Sequence, residues 1–285
     1  MVFYKWIHCG GVVMTVALVG ALGRARAMEI VAHRGASADA PENTLAAVNL
    51  AWKESADAVE IDLRLSKDGK LVVIHDEDTK RVAGKPAPVG AQTLEDLRAL
   101  DAGAWKDPQW AGEKIPTFDE VLSAAPAGKK LFVEMKCGKN AIPEIAKAIK
   151  DSGKKPEQVT IIGFSLATMQ AAKQALPGHP VLWLVEMKKD KQTGQWKPSA
   201  EEMIAKAKKA GMSGINLAAG AAIDADFVKK VHEAGLTLGV WTVDAPDAAR
   251  RYRDLGINYL TTNRPGWMRE QINPPAAGPG KQETP

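Results

Sequence analysis

Short apolar runs alternate with amphipathic helical patterns, strand then helix, eight times along nearly the whole chain. That rhythm predicts an α/β fold in which parallel strands close into a (β/α)8 barrel ringed by helices. An open doubly wound sheet is the alternative, but no glycine-rich dinucleotide loop supports it. One further strand, joined to the second by a tight turn, precedes a long aperiodic stretch. Together these predict a small subdomain inserted after the second-strand hairpin.

The elements follow in order. Residues 1–27 are expected to be a signal peptide: Lys5 gives a positive start, Gly10 to Leu22 is apolar and small, and Ala25-Arg26-Ala27 has the A-x-A form of a cleavage site. The run is shorter than the roughly 18 residues of a membrane span. Cleavage after Ala27 would leave an exported chain, periplasmic or secreted, with no stable span; an uncleaved anchor is the alternative. Cys9 lacks the small-residue context of a lipid-attachment site. Lys5, Arg24 and Arg26 would leave with this segment, so the formal charge of +4 falls close to neutral and nothing argues for a nucleic-acid partner. Cys137 then stands alone, which excludes an intramolecular disulfide.

The domain proper is expected over residues 28–272. Its first strand, Ile30–His33, runs into Arg34-Gly35, and a helical pattern spans Thr44–Glu54. The second strand, Ala58–Leu63, carries Glu60-Ile61-Asp62. Ser66-Lys67-Asp68-Gly69 then leads to Leu71–His75, and an Asp-Gly pair between two alternating apolar runs signals a hairpin. A parallel neighbour would need a crossover of a dozen residues, which is absent. With Asp68-Gly69 as the two loop residues, Asp62 and His75 are expected to fall opposite one another. The inserted subdomain, about residues 77–116, holds a short helical piece near Leu94–Leu100 with Trp105 and Trp110. Its place beside the barrel mouth suits substrate selection, a lid packed by its tryptophans being the bland alternative. Helical patterns at Phe118–Ala125, Ile142–Asp151, Leu166–Ala175, Ala200–Ala210, Asp224–Ala234 and Pro246–Leu255 alternate with the later strands. Those strands are Leu131–Lys136, Val159–Phe164, Val181–Glu186, Gly214–Leu217, Leu238–Val243 and Tyr259–Thr262. The tail, residues 273–285, is rich in Pro, Gly and Ala and is expected to be disordered.

The polar residues at the downstream strand ends carry the chemistry. Glu60 and Asp62, two apart on a strand, face the same way. Buried together they would repel unless a cation compensates. With Glu134 on the next barrel strand, three carboxylates converge at the mouth and suit a hard ion, Mg²⁺ or Ca²⁺. Internal ion pairs with Lys136 or Arg34 are the plainer reading of the same acids. Free imidazoles titrate near neutrality, so of His33 and His75 one can accept a proton while the other donates. Arg34 offers a fork for a phosphate and Lys136 a point charge.

This constellation resembles the glycerophosphodiester phosphodiesterase family from Glu29 to about Trp267. The matching motifs are H-R-G at His33–Gly35, P-E-N-T at Pro41–Thr44 and E-I-D at Glu60–Asp62. They continue with D-G-x-x-V-V-I-H-D at Asp68–Asp76, E-M-K at Glu134–Lys136 and W-T-V-D at Trp241–Asp244. The resemblance implies a TIM barrel with an insertion at the place noted above. It also implies one divalent cation, Ca²⁺ or Mg²⁺, on Glu60, Asp62 and Glu134, with His33 and His75 as the catalytic pair. Arg34 and Lys136 become phosphate contacts. Glu42 becomes a supporting residue. Read from the residues themselves, Asp76 is an orienting partner of the site, and Trp241 packs either against a glycerol or alcohol moiety or into the core. Two positions depart from the family pattern: Asn is common where Asp244 stands, and an acid where Asn263 stands. Both lie at the mouth, which leaves substrate contacts there open.

The expected reaction is hydrolysis of a small-molecule glycerophosphodiester to sn-glycerol 3-phosphate and an alcohol, through a cyclic phosphate or by direct water attack. A lipid phosphodiesterase of the sphingomyelinase D or phospholipase kind is the rival enzyme, and a non-catalytic phosphate-binding barrel the rival from another class. Retention of both histidines and all three acids argues against the latter, since binding alone needs no proton-transfer pair.

Overall fold

Eight parallel strands close on one another in the computed structural model, which describes residues 27–220 and 222–273. They are β1 (Glu29–Ala32), β2 (Ala58–Leu65), β4 (Lys130–Met135), β5 (Val159–Gly163), β6 (Val181–Val185), β9 (Gly214–Ala218), β10 (Thr237–Trp241) and β11 (Tyr259–Thr262). Closure is the pairing of β1 with both β2 and β11. A helix follows each strand before the next: α1 (Leu45–Lys53), α4 (Phe118–Ala124), α5 (Ile142–Asp151), α6 (Leu166–Ala175), α7 (Ala200–Lys209), α8 (Ala225–Glu233), α9 (Pro246–Asp254) and α10 (Pro265–Ile272). The predicted strands and helices fall on these elements to within one or two residues. Of the barrel helices only α10 has no counterpart among the predicted ones; it starts at Pro265, and proline is well placed at a first helical position.

The strand periodicity of two divides the core. Val59, Ile61 and Leu63 point outward to the helices and join the large apolar layer between sheet and helix ring. The inner faces fill the barrel with Val31, Ala58, Phe132, Ile162, Leu182 and Leu184, against Trp241 and Tyr259. At the opposite end from the site, Lys130 pairs with Glu29 at 2.6 Å. The barrel interior is therefore closed from below by an ion pair and filled by apolar side chains, and the acids and histidines gather at its upper end.

The hairpin forms between β2 and the antiparallel β3 (Leu71–Val73), but its register differs from expectation by one residue. Leu65 pairs with Leu71, so the loop is Lys67-Asp68-Gly69, three residues long. Gly69 takes a left-handed φ of 75°, the conformation that a three-residue hairpin loop places on glycine. Ile74, not His75, lies across from Asp62 and donates its N–H to the Asp62 carbonyl at 2.9 Å. His75 reaches the mouth because β3 ends at Val73 and the chain turns away past Ile74.

Between His75 and Pro116 lie two short helices, α2 (Lys80–Ala83) and α3 (Leu94–Ala99). Val72, Ile74, Val82, Val89, Leu97, Ala102 and Ile115 form a second apolar cluster there. Its core is aliphatic, Trp105 stays 39% exposed, and Trp110 is half-buried outside that cluster. A small exposed hairpin, β7 (Lys188–Lys189) with β8 (Trp196–Lys197), interrupts the step from β6 to α7. Among the described residues no helix is long and apolar enough to cross a membrane. The expected signal segment up to Arg26 and the tail beyond Asn273 lie outside the described residues.

Candidate active site

The loop after β1 sets the first side chains through left-handed residues. Arg34 (φ 55°) and Gly35 (φ 82°) turn the chain back past the strand end. A Cβ on Gly35 would lie 2.5 Å from the Ala47 carbonyl carbon of α1, so only glycine fits. Arg34 adopts the same unusual region and is held there by its contacts. Its N–H donates to Glu60 Oε2 at 2.9 Å, its Nη1 donates to Glu42 Oε1 at 2.8 Å, and its Nε lies 3.4 Å from Asp62 Oδ2. Asn43, also left-handed, donates from Nδ2 to Asp62 Oδ2 at 2.8 Å and accepts from the Asp62 N–H at 3.2 Å. Thr44 then caps α1 by accepting from the Ala47 N–H.

Glu60, Asp62 and Glu134 converge as the strand register requires, with Asp62 paired beside Glu134. One ligand atom from each lies within 4.8 Å of the others, and all three residues are buried. Burial, then repulsion by Asp62 and Glu134, pushes Glu60 well above the ordinary carboxylate range. Burial and Asp62 push Glu134 up to about 7 despite the Lys136 ammonium beside it. Lys136 Nζ is 2.7 Å from Glu134 Oε1 and 3.5 Å from Asp62 Oδ1. The ion pairs that the sequence weighed against a metal are thus present, yet they leave the cluster incomplete. Asp62 Oδ1 is buried with no hydrogen-bond partner among the described residues. A converging triad of carboxylates with one orphaned oxygen fits a hard divalent cation.

The two imidazoles are oriented by different chemistry. His33 Nδ1 lies 2.8 Å from Asn263 Oδ1, and Ser37 Oγ donates to the same oxygen at 2.9 Å. Asp244 fixes that amide: its Oδ2 accepts from Asn263 Nδ2 at 2.6 Å, while its Oδ1 accepts from Asn263 N and Thr262 Oγ1, both at 2.8 Å. The amide oxygen can only accept, so His33 Nδ1 carries the proton and Nε2 keeps its lone pair. Burial and the Arg34 charge hold His33 below its ordinary pKa, outweighing Asn263, Asp62 and Glu42. His75 Nδ1 instead meets Asp76 Oδ1 at 2.8 Å. Arg81 donates to both Asp76 oxygens, at 2.7 and 3.1 Å, and holds this carboxyl far below the usual range. His75 is therefore backed by a carboxylate and His33 by an amide.

His33, Arg34, Glu60, His75, Glu134 and Lys136 line one side of a cavity of about 210 Å³ at the barrel mouth. Ile162, Phe164, Leu184, Asn216, Trp241 and Thr261 line the other. Trp241 stands edge-to-face with Phe164, centroids 5.7 Å apart, so it both packs and lines the cavity. Glu42 is set behind the cavity, where Arg34 and Arg81 clasp it; burial would raise its pKa, and the two guanidinium groups hold it low. Asp244 and Asn263 do not line the cavity; they orient His33. Sequence reasoning missed Asn43, Arg64, Arg81 and Asn216. Asn43 sat inside a noted motif. Arg64, whose Nε donates to the His75 carbonyl at 2.9 Å, lies two residues past Asp62 on the same strand face, which was a usable signal.

Comparison with known proteins matches residues 33–267 to the glycerophosphoryl diester phosphodiesterase family. The chain is 32% identical over 252 residues to a glycerophosphodiester phosphodiesterase of Bacillus subtilis, covering 82% of this chain and 83% of the relative. It is 33% identical to a glycerophosphodiester phosphodiesterase of Caldanaerobacter subterraneus, covering 83% and 94%. The solved structure of an Oleispira antarctica phosphodiesterase in complex with its product sn-glycerol-3-phosphate superposes with a TM-score of 0.78 at 25% identity, covering 87% of this chain and 97% of that one. A glycerophosphodiester phosphodiesterase from Agrobacterium tumefaciens superposes at 0.69 with 26% identity, covering 85% and 98%.

Proposed function

The chain belongs to the glycerophosphoryl diester phosphodiesterase family, and from that premise we propose that it hydrolyses glycerophosphodiesters to sn-glycerol 3-phosphate and an alcohol with His33 and His75 as its acid/base pair. The contrast between the two histidines carries this reading. His33, buried against an amide and held neutral, presents a free Nε2 suited to a base. His75, with a firmly ionised Asp76 on Nδ1, is suited to carry a proton and give it up.

Arg34 and Lys136 hold the phosphate on the charged side of the cavity. His33 Nε2 takes the proton of the attacking hydroxyl, either the neighbouring glycerol hydroxyl or a water. His75 protonates the departing alcohol oxygen, and in a two-step path the roles exchange. Glu60, Asp62 and Glu134 are the residues that would hold a divalent cation, which when bound supplies Lewis acidity to the phosphoryl oxygens. The A-x-A site at Ala25-Arg26-Ala27 supports export, which N-terminal sequencing of the expressed protein tests.

The test is a panel of glycerophosphodiesters assayed for released glycerol 3-phosphate, with and without chelator. His33→Ala and His75→Ala should each lower kcat by about 10²- to 10⁴-fold. Full activity in excess chelator sinks the metal assignment. Faster turnover of sphingomyelin or a lysolipid would move the enzyme to the lipid class.

A further inference from the structure

The cavity is built in two unlike halves. The strands from β1 to β4 supply all its charges, while those from β5 to β11 supply Ile162, Phe164, Leu184, Trp241 and only two polar side chains, Asn216 and Thr261. Asn216 sits on β9, across the barrel from β2, and is 2% exposed. Its Oδ1 is fully buried and has no hydrogen-bond partner among the described residues. The amide is seated by a bare backbone: a Cβ on Gly239 would come within 2.6 Å of that oxygen. Its own carbonyl is already engaged by Trp241 Nε1 at 3.3 Å, which ties the indole to the same spot. A buried acceptor left unpaired is costly, so an amide held in an apolar wall invites a donor from whatever fills the cavity.

We propose that Asn216 accepts a hydrogen bond from the terminal hydroxyl of the substrate's glycerol arm and thereby selects which arm of the diester enters the barrel. The assignment rests on the phosphodiesterase reading above. A phosphate seated among Arg34, Lys136 and the acids leaves one arm to cross into the other half. The walls there suit carbon, and the one orphaned acceptor suits a hydroxyl at the end of a short chain. The glycerol hydroxyl next to the phosphate-bearing carbon stays in the charged half, so the terminal one reaches Asn216. An ester or a quaternary ammonium has no proton to give, and a primary ammonium would find no carboxylate in that half. The second alcohol of the diester is left to face solvent past Phe164, which is 47% exposed.

The test compares glycerophosphocholine with its counterpart carrying a methyl in place of the terminal hydroxymethyl group. The wild-type enzyme should favour glycerophosphocholine in kcat/KM by about tenfold or more. Asn216→Leu, close in size and unable to accept, should bring that ratio toward one, whereas Asn216→Asp should keep it. A wild-type enzyme that hydrolyses both at equal rates overturns the proposal without needing any variant. So does a folded Asn216→Leu, checked by its melting temperature, that keeps the wild-type ratio. Failure of the wild type to hydrolyse either compound would instead overturn the reading of the reaction itself.

Discussion

His33 is governed by a carboxylate that it does not touch. Asp244 binds Asn263, and Asn263 binds the imidazole, so the negative charge acts one amide away. The resemblance flagged both positions as departures and left their role open at the substrate; only the folded chain shows them turned toward His33. A sequence gives the identity of a side chain but not which of its two amide atoms faces a neighbour, and here that choice sets the tautomer. Exchanging the two, Asp244→Asn with Asn263→Asp, should keep the hydrogen bonds and set a carboxylate directly on Nδ1. Asn263→Asp alone would press two carboxylates together and is the poorer test. The sign follows from the cation: a carboxylate beside Nδ1 favours imidazolium, so His33 would stay protonated to higher pH. The acid limb of kcat/KM, which should lie below the ordinary histidine value of about 6.5, should therefore move up by about one pH unit or more. A limb that stays in place in the folded double variant would show that His33 is not the group it reports.

At the scale of elements, the hairpin was legible and its register was not. Asp68-Gly69 between apolar runs announces a turn, but two- and three-residue loops share that dipeptide, and one residue decides which face every later side chain takes. The same limit hid α2. Its four residues are too few to show a period, and Arg81 reads there as an ordinary surface cation. In the fold it donates to Glu42 through Nη1 and Nη2 and to Asp76 through Nε and Nη2, with Trp105 over its guanidinium at 5.6 Å. The segment after the hairpin thus reaches both His75, through Asp76, and Arg34, through Glu42. Arg81→Ala should lower kcat by about 10- to 100-fold, the range seen when groups that orient a catalytic residue are removed, with a smaller change in KM. Arg81→Lys should restore little, because a point charge cannot serve two carboxylates as a planar fork does. Steady-state kinetics of the two variants check this, and a change confined to KM would place Arg81 in substrate binding instead.

For the whole molecule, the barrel was legible because strand–helix alternation is a global pattern that no single misread boundary destroys. The acids were legible for a related reason, since the two-residue period of a strand by itself puts Glu60 and Asp62 on one face. Their energetics come only from closure, which buries all three carboxylates together and leaves Arg34 and Lys136 as nearby compensation. Unfolded glutamates titrate near 4.3, whereas Glu134 is raised to about 7 and Glu60 well above its ordinary value. Between those limits the folded chain binds more protons than the unfolded one. The contribution of these acids to stability therefore falls as pH rises through that window. A divalent cation must displace the same protons, so its binding should strengthen over the same range. Excess Mg²⁺ or Ca²⁺ should raise the melting temperature more at pH 8 than at pH 6, and Glu134→Gln should abolish most of that difference. A cation effect of equal size at both pH values, or one that survives Glu134→Gln intact, would mean that the ion binds elsewhere on the protein.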